Sequence, residues 1–100
     1  MKTLSYDNIL YFEVSQTNTH SIVVQEGNSR HMFWGQLKDI LKKLDERFIK
    51  CHRSFIVNAD NITEIDTKLM NLRFANGLAI DFAANQLKKL RKLVSERQSI

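Results

Sequence analysis

Cys51 and His52 are adjacent, and a thiol beside an imidazole is the most reactive pair that the sequence offers. A nucleophilic cysteine needs a base within hydrogen-bond reach. Cys51 ends an extended apolar run that starts at Phe48 and His52 follows it, and neighbours on a strand point to opposite faces, so they cannot serve each other. His20 or His31 is the other available base, but a buried, inert Cys51 is the expected state. Metal chemistry has no firmer footing. One cysteine and three histidines (His20, His31, His52) occur without the short paired spacings that place ligands around zinc. No glycine-rich phosphate loop is present, and the carboxylates are scattered along strand edges without an evident acid–base pair. The expectation is a non-enzymatic chain with no cofactor and no metal. Phe33 and Trp34, beside Gly35, would stack on bases if exposed, but core packing is the expected role for them and for Tyr6 and Tyr11.

Charge is more informative than reactivity. The net charge is +4, and residues 1–83 hold ten basic and ten acidic side chains, so the whole excess lies in residues 84–100. There Lys88, Lys89, Arg91, Lys92 and Arg97 face only Glu96. A second basic excess runs over residues 30–53, from Arg30 through Lys38, Lys42, Lys43, Arg47 and Lys50 to Arg53, against Asp39, Asp45 and Glu46. Two basic regions suit a polyanion, because each phosphate neutralised releases counterions. A solvated helix face is the equally available alternative.

The elements that must position these residues are legible in the periodicity. A length of 100 residues allows one domain, residues 1–100, and 43% hydrophobic with 26% charged residues is globular rather than disordered composition. No run approaches the ~20 apolar residues of a membrane span, and the N-terminus does not read as a signal peptide, so a cytoplasmic location is expected. A single cysteine cannot form an internal disulfide. Leu10, Phe12 and Val14 alternate with Tyr11 and Glu13, predicting a strand over Ile9 to Ser15 with one face buried. Strands over His20–Gln25 and Arg30–Trp34, separated by a turn at Glu26-Gly27-Asn28-Ser29, complete a meander. Leu37, Ile40, Leu41 and Leu44 then predict an amphipathic helix. Extended runs Phe48–Cys51 and Phe55–Val57 flank a polar corner, His52-Arg53-Ser54. A short strand over Ile62–Asp66 and a hairpin about Asn76-Gly77 make a second meander. From Ala83 onward, Ala83, Leu87, Leu90 and Val94 recur at helical spacing, predicting a basic helix that packs on its own sheet. The fold class is α+β, mostly β: antiparallel sheets, a short internal helix and a C-terminal basic helix.

The run Phe48-Ile49-Lys50-Cys51-His52-Arg53-Ser54-Phe55-Ile56-Val57-Asn58, followed by Ile62, resembles the signature of the LytTR family of DNA-binding domains of bacterial response regulators. Its flanks agree. Asp7 to Glu13 resembles the opening strand motif, Leu37 to Leu44 the helix before the signature, and Leu87-Lys88-Lys89-Leu90 the ending, so the resemblance spans about residues 6–92. It implies an elongated set of antiparallel sheets whose loops enter successive major grooves of duplex DNA and read promoter sequence for transcription regulation. Three positions would contact bases: His20, Arg53 and Asn85, the last within Ala83-Ala84-Asn85-Gln86, where relatives often carry arginine and where Gln86 is an alternative. Arg can fork onto guanine, Asn can pair with adenine, and His can donate to a base acceptor. On residue type alone each has an ordinary reading: a surface salt bridge for Arg53, a strand end for His20, a helix N-terminal hydrogen bond for Asn85. Lys50, Lys88, Lys89, Arg91 and Lys92 would contact phosphate, and His52 would be structural.

The resemblance further implies two copies on DNA repeats, no membrane, and dimerisation through a receiver domain absent from this chain. The chain then corresponds to the C-terminal effector part of a response regulator, a stand-alone regulator being the alternative. A protein-interaction module without DNA affinity is the rival reading from another class. RNA binding is a third, although no ring-on-sheet aromatic motif is evident.

Overall fold

The structure is a computed structural model, and it describes residues 5–98. Eight strands form two antiparallel sheets. The first contains β1 (Ile9–Val14), β2 (Ser21–Glu26), β3 (Ser29–Trp34), β4 (Phe48–His52) and β5 (Phe55–Asn58) in the order β3-β2-β1-β5-β4. The second is a meander of β6 (Ile62–Asp66), β7 (Asn71–Phe74) and β8 (Ala79–Asp81). Two helices, α1 (Leu37–Leu41) and α2 (Leu87–Gln98), complete the fold, with 3₁₀ turns at Tyr6–Asn8, Ala59–Asn61 and Ala84–Gln86. The molecule measures 36 × 26 × 25 Å.

The expected one-sided burial of β1 is corrected by the topology. The β4–β5 hairpin joins its free edge, pairing Tyr11 with Val57 and Phe12 with Ile56, so β1 is the central strand. Alternate side chains then enter two cores on opposite faces. Phe12, Val24 and Ile56 meet Leu37 of α1 on one face, whereas Tyr11 and Val57 meet Leu72, Phe74 and Leu90 on the other. A bulge between Ile9 and Tyr11 slips the register against β2, which sends Ile9 to the α1 core and Leu10 to the opposite one.

Both helices are shorter than their apolar periodicity predicts. Past Leu41 the chain makes i+3 bonds, Lys43 N–H to the Ile40 carbonyl and Leu44 N–H to the Leu41 carbonyl, yet Leu44 still packs on the α1 core. The final helix begins at Leu87 rather than Ala83, because a 3₁₀ turn intervenes. Its apolar stripe packs on the sheets as expected, with Leu90 fully buried. Its end is clasped from outside the sheet. Arg97 Nε donates to Asp60 at 2.6 Å, and Gln98 Nε2 donates to the carbonyls of Ala59 (2.8 Å) and Ile62 (2.9 Å).

Asn58, the last residue of the signature run, is fully buried and ties the two halves of the chain together. Its amide donates to the carbonyls of Tyr6 (3.0 Å) and Ile9 (2.9 Å), while its Oδ1 accepts from the Asp60 N–H (3.0 Å) as a cap on the Ala59–Asn61 turn.

Phe33, Trp34 and Tyr6 are not core residues, contrary to the sequence expectation. β3 is an edge strand with one partner, and Trp34 is 78% exposed. Phe33 lies half out of the α1 core, edge-on to Phe12. Tyr6 sits edge-on to Phe48 beneath the Arg47 guanidinium, with Tyr11 alone of the tyrosines buried.

Candidate nucleic-acid interface

The end of β1 gathers three loops. Val14 N–H donates to the Ser54 carbonyl (3.0 Å), Ser15 N–H to the Ser21 carbonyl (2.9 Å), and Gly35 N–H to the His20 carbonyl (2.8 Å). These bonds hold the β1–β2 loop, the β3–α1 connection and the β4–β5 turn at one end of the first sheet. His20 is the last residue of its loop rather than the first of a strand. It has φ +62°, a left-handed conformation uncommon outside glycine, and it is exposed.

Arg53 and Ser54 form the two-residue turn of the β4–β5 hairpin, closed by the pair His52 and Phe55. His52 has the structural role expected of it: Nδ1 accepts the Ser54 N–H at 3.1 Å, and the ring packs 5.6 Å from that of Phe55. This fixes the turn and leaves Arg53 exposed at its tip. The fourth segment comes from the second sheet. Ala83 N–H donates to the Cys51 carbonyl at 2.8 Å, which lays the Ala84–Gln86 turn against β4.

Two open depressions result, and they share Lys50 and Arg53. One is lined by His20, Gly35, Gln36 and Lys38 together with that pair, and the other by His52, Ala83, Asn85 and Gln86 with the same pair. The three expected base-contacting residues therefore lie on one continuous surface, with Arg53 between His20 and Asn85. No carboxylate lines either depression. Arg30, Arg47, Arg73 and Arg97 all pair with carboxylates, whereas Arg53 makes no ion pair or hydrogen bond among the described residues. Its ordinary reading as a salt bridge is thereby removed. Asn85 likewise makes no helix-capping bond: the 3₁₀ turn has no side-chain cap, and the Asn85 side chain is exposed.

Of the expected phosphate contacts, only Lys50 joins this surface. Lys89 and Lys92 line a separate depression with Glu46 and Glu96, and Lys88 and Arg91 are exposed on α2 outside both loop depressions. Lys38 and Gln36 are additions. Lys38 reads in the sequence as part of a solvated helix face, and the available signal was the change of period at Gly35, which places a loop immediately before it.

Cys51 is buried beneath this surface, and desolvation pushes its thiol up to about 12. A thiol so far from ionisation is a poor nucleophile. Among the described residues, no group of three or more His, Cys, Asp or Glu is placed to hold a metal ion, and no helix is long and apolar enough to cross a membrane.

Comparison with known proteins agrees with this architecture. The model of the LytTr DNA-binding domain family matches residues 1–95. Accessory gene regulator protein A of Staphylococcus epidermidis is 39% identical over 87 residues, and that of Staphylococcus aureus 38%; each match covers 87% of this chain. The chain spans 36% of the length of those relatives. A solved LytTr DNA-binding domain from Bacillus cereus superposes with a TM-score of 0.75 at 26% identity, over 91% of this chain and 84% of that one. The signature around Arg53, the two-sheet topology and the match over residues 1–95 all lead to one assignment: this chain belongs to the LytTr DNA-binding domain family.

Proposed function

We propose that the chain regulates transcription by reading duplex DNA sequence in the major groove, with His20, Arg53 and Asn85 contacting base edges. The observation that carries this reading is Arg53: an exposed guanidinium without a partner among the described residues, at the tip of a fixed turn, between depressions that connect it to His20 and Asn85. Arg forks onto guanine O6 and N7, and such a bidentate contact contributes about 1–3 kcal/mol of discrimination. Lys50 and Lys38 flank it and suit phosphate oxygens. Lys88 and Arg91 are exposed on α2 outside the two depressions and remain candidates for phosphate beyond Asn85. Lys89 and Lys92 are weaker candidates because Glu46 and Glu96 share their surroundings.

With a longest dimension of 36 Å, one domain covers about one turn of B-DNA, ~34 Å, so paired repeats would take one copy each. Where such a domain forms part of a longer response regulator, a receiver domain would bring the two copies together.

Selection from random duplexes at two salt concentrations tests the proposal. The expected result is a defined motif, in which Arg53→Ala relaxes the preference at one base pair and weakens the selected duplex far more than a scrambled one. Equal loss on both duplexes would remove Arg53 from base reading, and failure to enrich any motif would overturn sequence-specific binding.

A further inference from the structure

Beyond His20, the same end of the first sheet carries a second exposed feature that base reading leaves unused. Trp34 pairs with Ser21 across β2–β3, and Gly35, which follows it, donates to the His20 carbonyl at 2.8 Å. The indole is 78% exposed. It lines a depression in which the hydroxyls of Thr17, Thr19 and Ser21 and the amide of Asn18 lie beside the apolar side chains of Met32 and Phe33, without a carboxylate. The Thr17–Thr19 loop is itself held in shape, since Ser15 Oγ accepts the N–H groups of Thr17 (3.2 Å) and Asn18 (3.1 Å). Asn18 Nδ2 reaches Met32 Sδ at 3.1 Å, which fastens the loop to β3.

From this arrangement we infer that Trp34 and the Thr17–Thr19 loop clamp the sugar–phosphate strand bordering the groove that His20 enters. The inference rests on the proposed reading of His20. With a major groove about 12 Å wide, residues adjoining a base-reading side chain meet the bordering strand. Hydroxyls, an amide and an indole N–H are neutral donors for phosphate oxygens, and a flat ring covers the apolar face of a deoxyribose. A contact of this kind positions the domain without adding sequence information.

Trp34 is the only tryptophan, so its fluorescence reports this surface alone. The whole chain is titrated with the selected duplex and with a scrambled duplex of the same composition, and acrylamide quenching is measured at each point. Expected is a fall in quenching that saturates with DNA binding on both duplexes. Trp34→Ala should weaken both duplexes alike, by at least about fivefold, leaving the salt dependence unchanged because no charge is removed. Trp34→Phe, which keeps a ring, should retain most of the affinity. Duplex binding with Trp34 still fully quenchable would overturn the clamp while leaving base reading intact. So would protection that follows protein concentration without DNA, which indicates a second copy on this face. Absence of binding to any duplex would overturn both.

Discussion

Replacing Asn58 by alanine probes the part of the signature that builds the fold separately from the exposed turn at Arg53. The side chain makes three hydrogen bonds, to the Tyr6 carbonyl, the Ile9 carbonyl and the Asp60 N–H, and it is fully buried. Loss of the cap on the Ala59–Asn61 turn costs about 1 kcal/mol, and loss of the two donated bonds about 1 kcal/mol each. The Ile9 carbonyl keeps a second donor, Asn61 Nδ2 at 2.8 Å, which argues against a larger penalty. About 3 kcal/mol lowers the melting temperature of a domain this size by roughly 12 °C or more. Thermal unfolding by circular dichroism measures it. Asn58→Asp should be at least as harmful at neutral pH, because a carboxylate would face two carbonyl oxygens. It should partly recover on acidification, since the fold then favours the protonated acid, which can donate. A drop of less than about 4 °C for Asn58→Ala, or a stability of Asn58→Asp indifferent to pH, would refute the reasoning.

Lys50→Ala should remove about one phosphate contact, so the slope of log affinity against log salt becomes shallower by about 0.9 on specific and scrambled duplex alike; an unchanged slope would exclude Lys50 from the interface. Asp66 provides a pH prediction. The Leu69 N–H, then the Lys68 N–H and Arg73, hold its carboxyl below the ordinary 3.8. A depressed folded-state value means that the contribution is present above 3.8 and is lost as pH falls through the lower value. Asp66→Asn should therefore flatten the stability profile below about pH 4, measured by urea unfolding across that range; an unaltered acid limb would count against it.

Strand periodicity revealed most of the fold because alternation records which side chains face inward. Ile62–Asp66 matches the predicted strand end to end, and β1 to β5 differ from their predicted bounds by one residue at one or both ends. Periodicity does not record which carbonyl accepts each N–H. Leu44 therefore read as helical while packing from a turn, and Ala83 read as the start of a helix that begins at Leu87. Nor does it record sheet order. Trp34 was expected inside because core packing is the commoner role of an aromatic at a strand end, and the placement of β3 at an edge exposes it. The candidate site was suggested by the resemblance at residues 48–58, not by residue chemistry. Arg53 looks like any surface arginine until its lack of a carboxylate partner among the described residues is visible.

The candidate surface is assembled from positions near 20, 36, 53 and 85, held together by bonds such as that from Ala83 N–H to the Cys51 carbonyl. Contacts so far apart in sequence form late, because each must overcome the entropy of closing a long loop. A ribosome-bound or partly unfolded chain thus lacks the surface, and on the proposed reading only the folded domain would search DNA. The converse follows by mass action. An operator at a hundred times its dissociation constant would add about 2.7 kcal/mol to the stability of the fold, so regulator bound at its site would outlast the free molecule under heat or proteolysis.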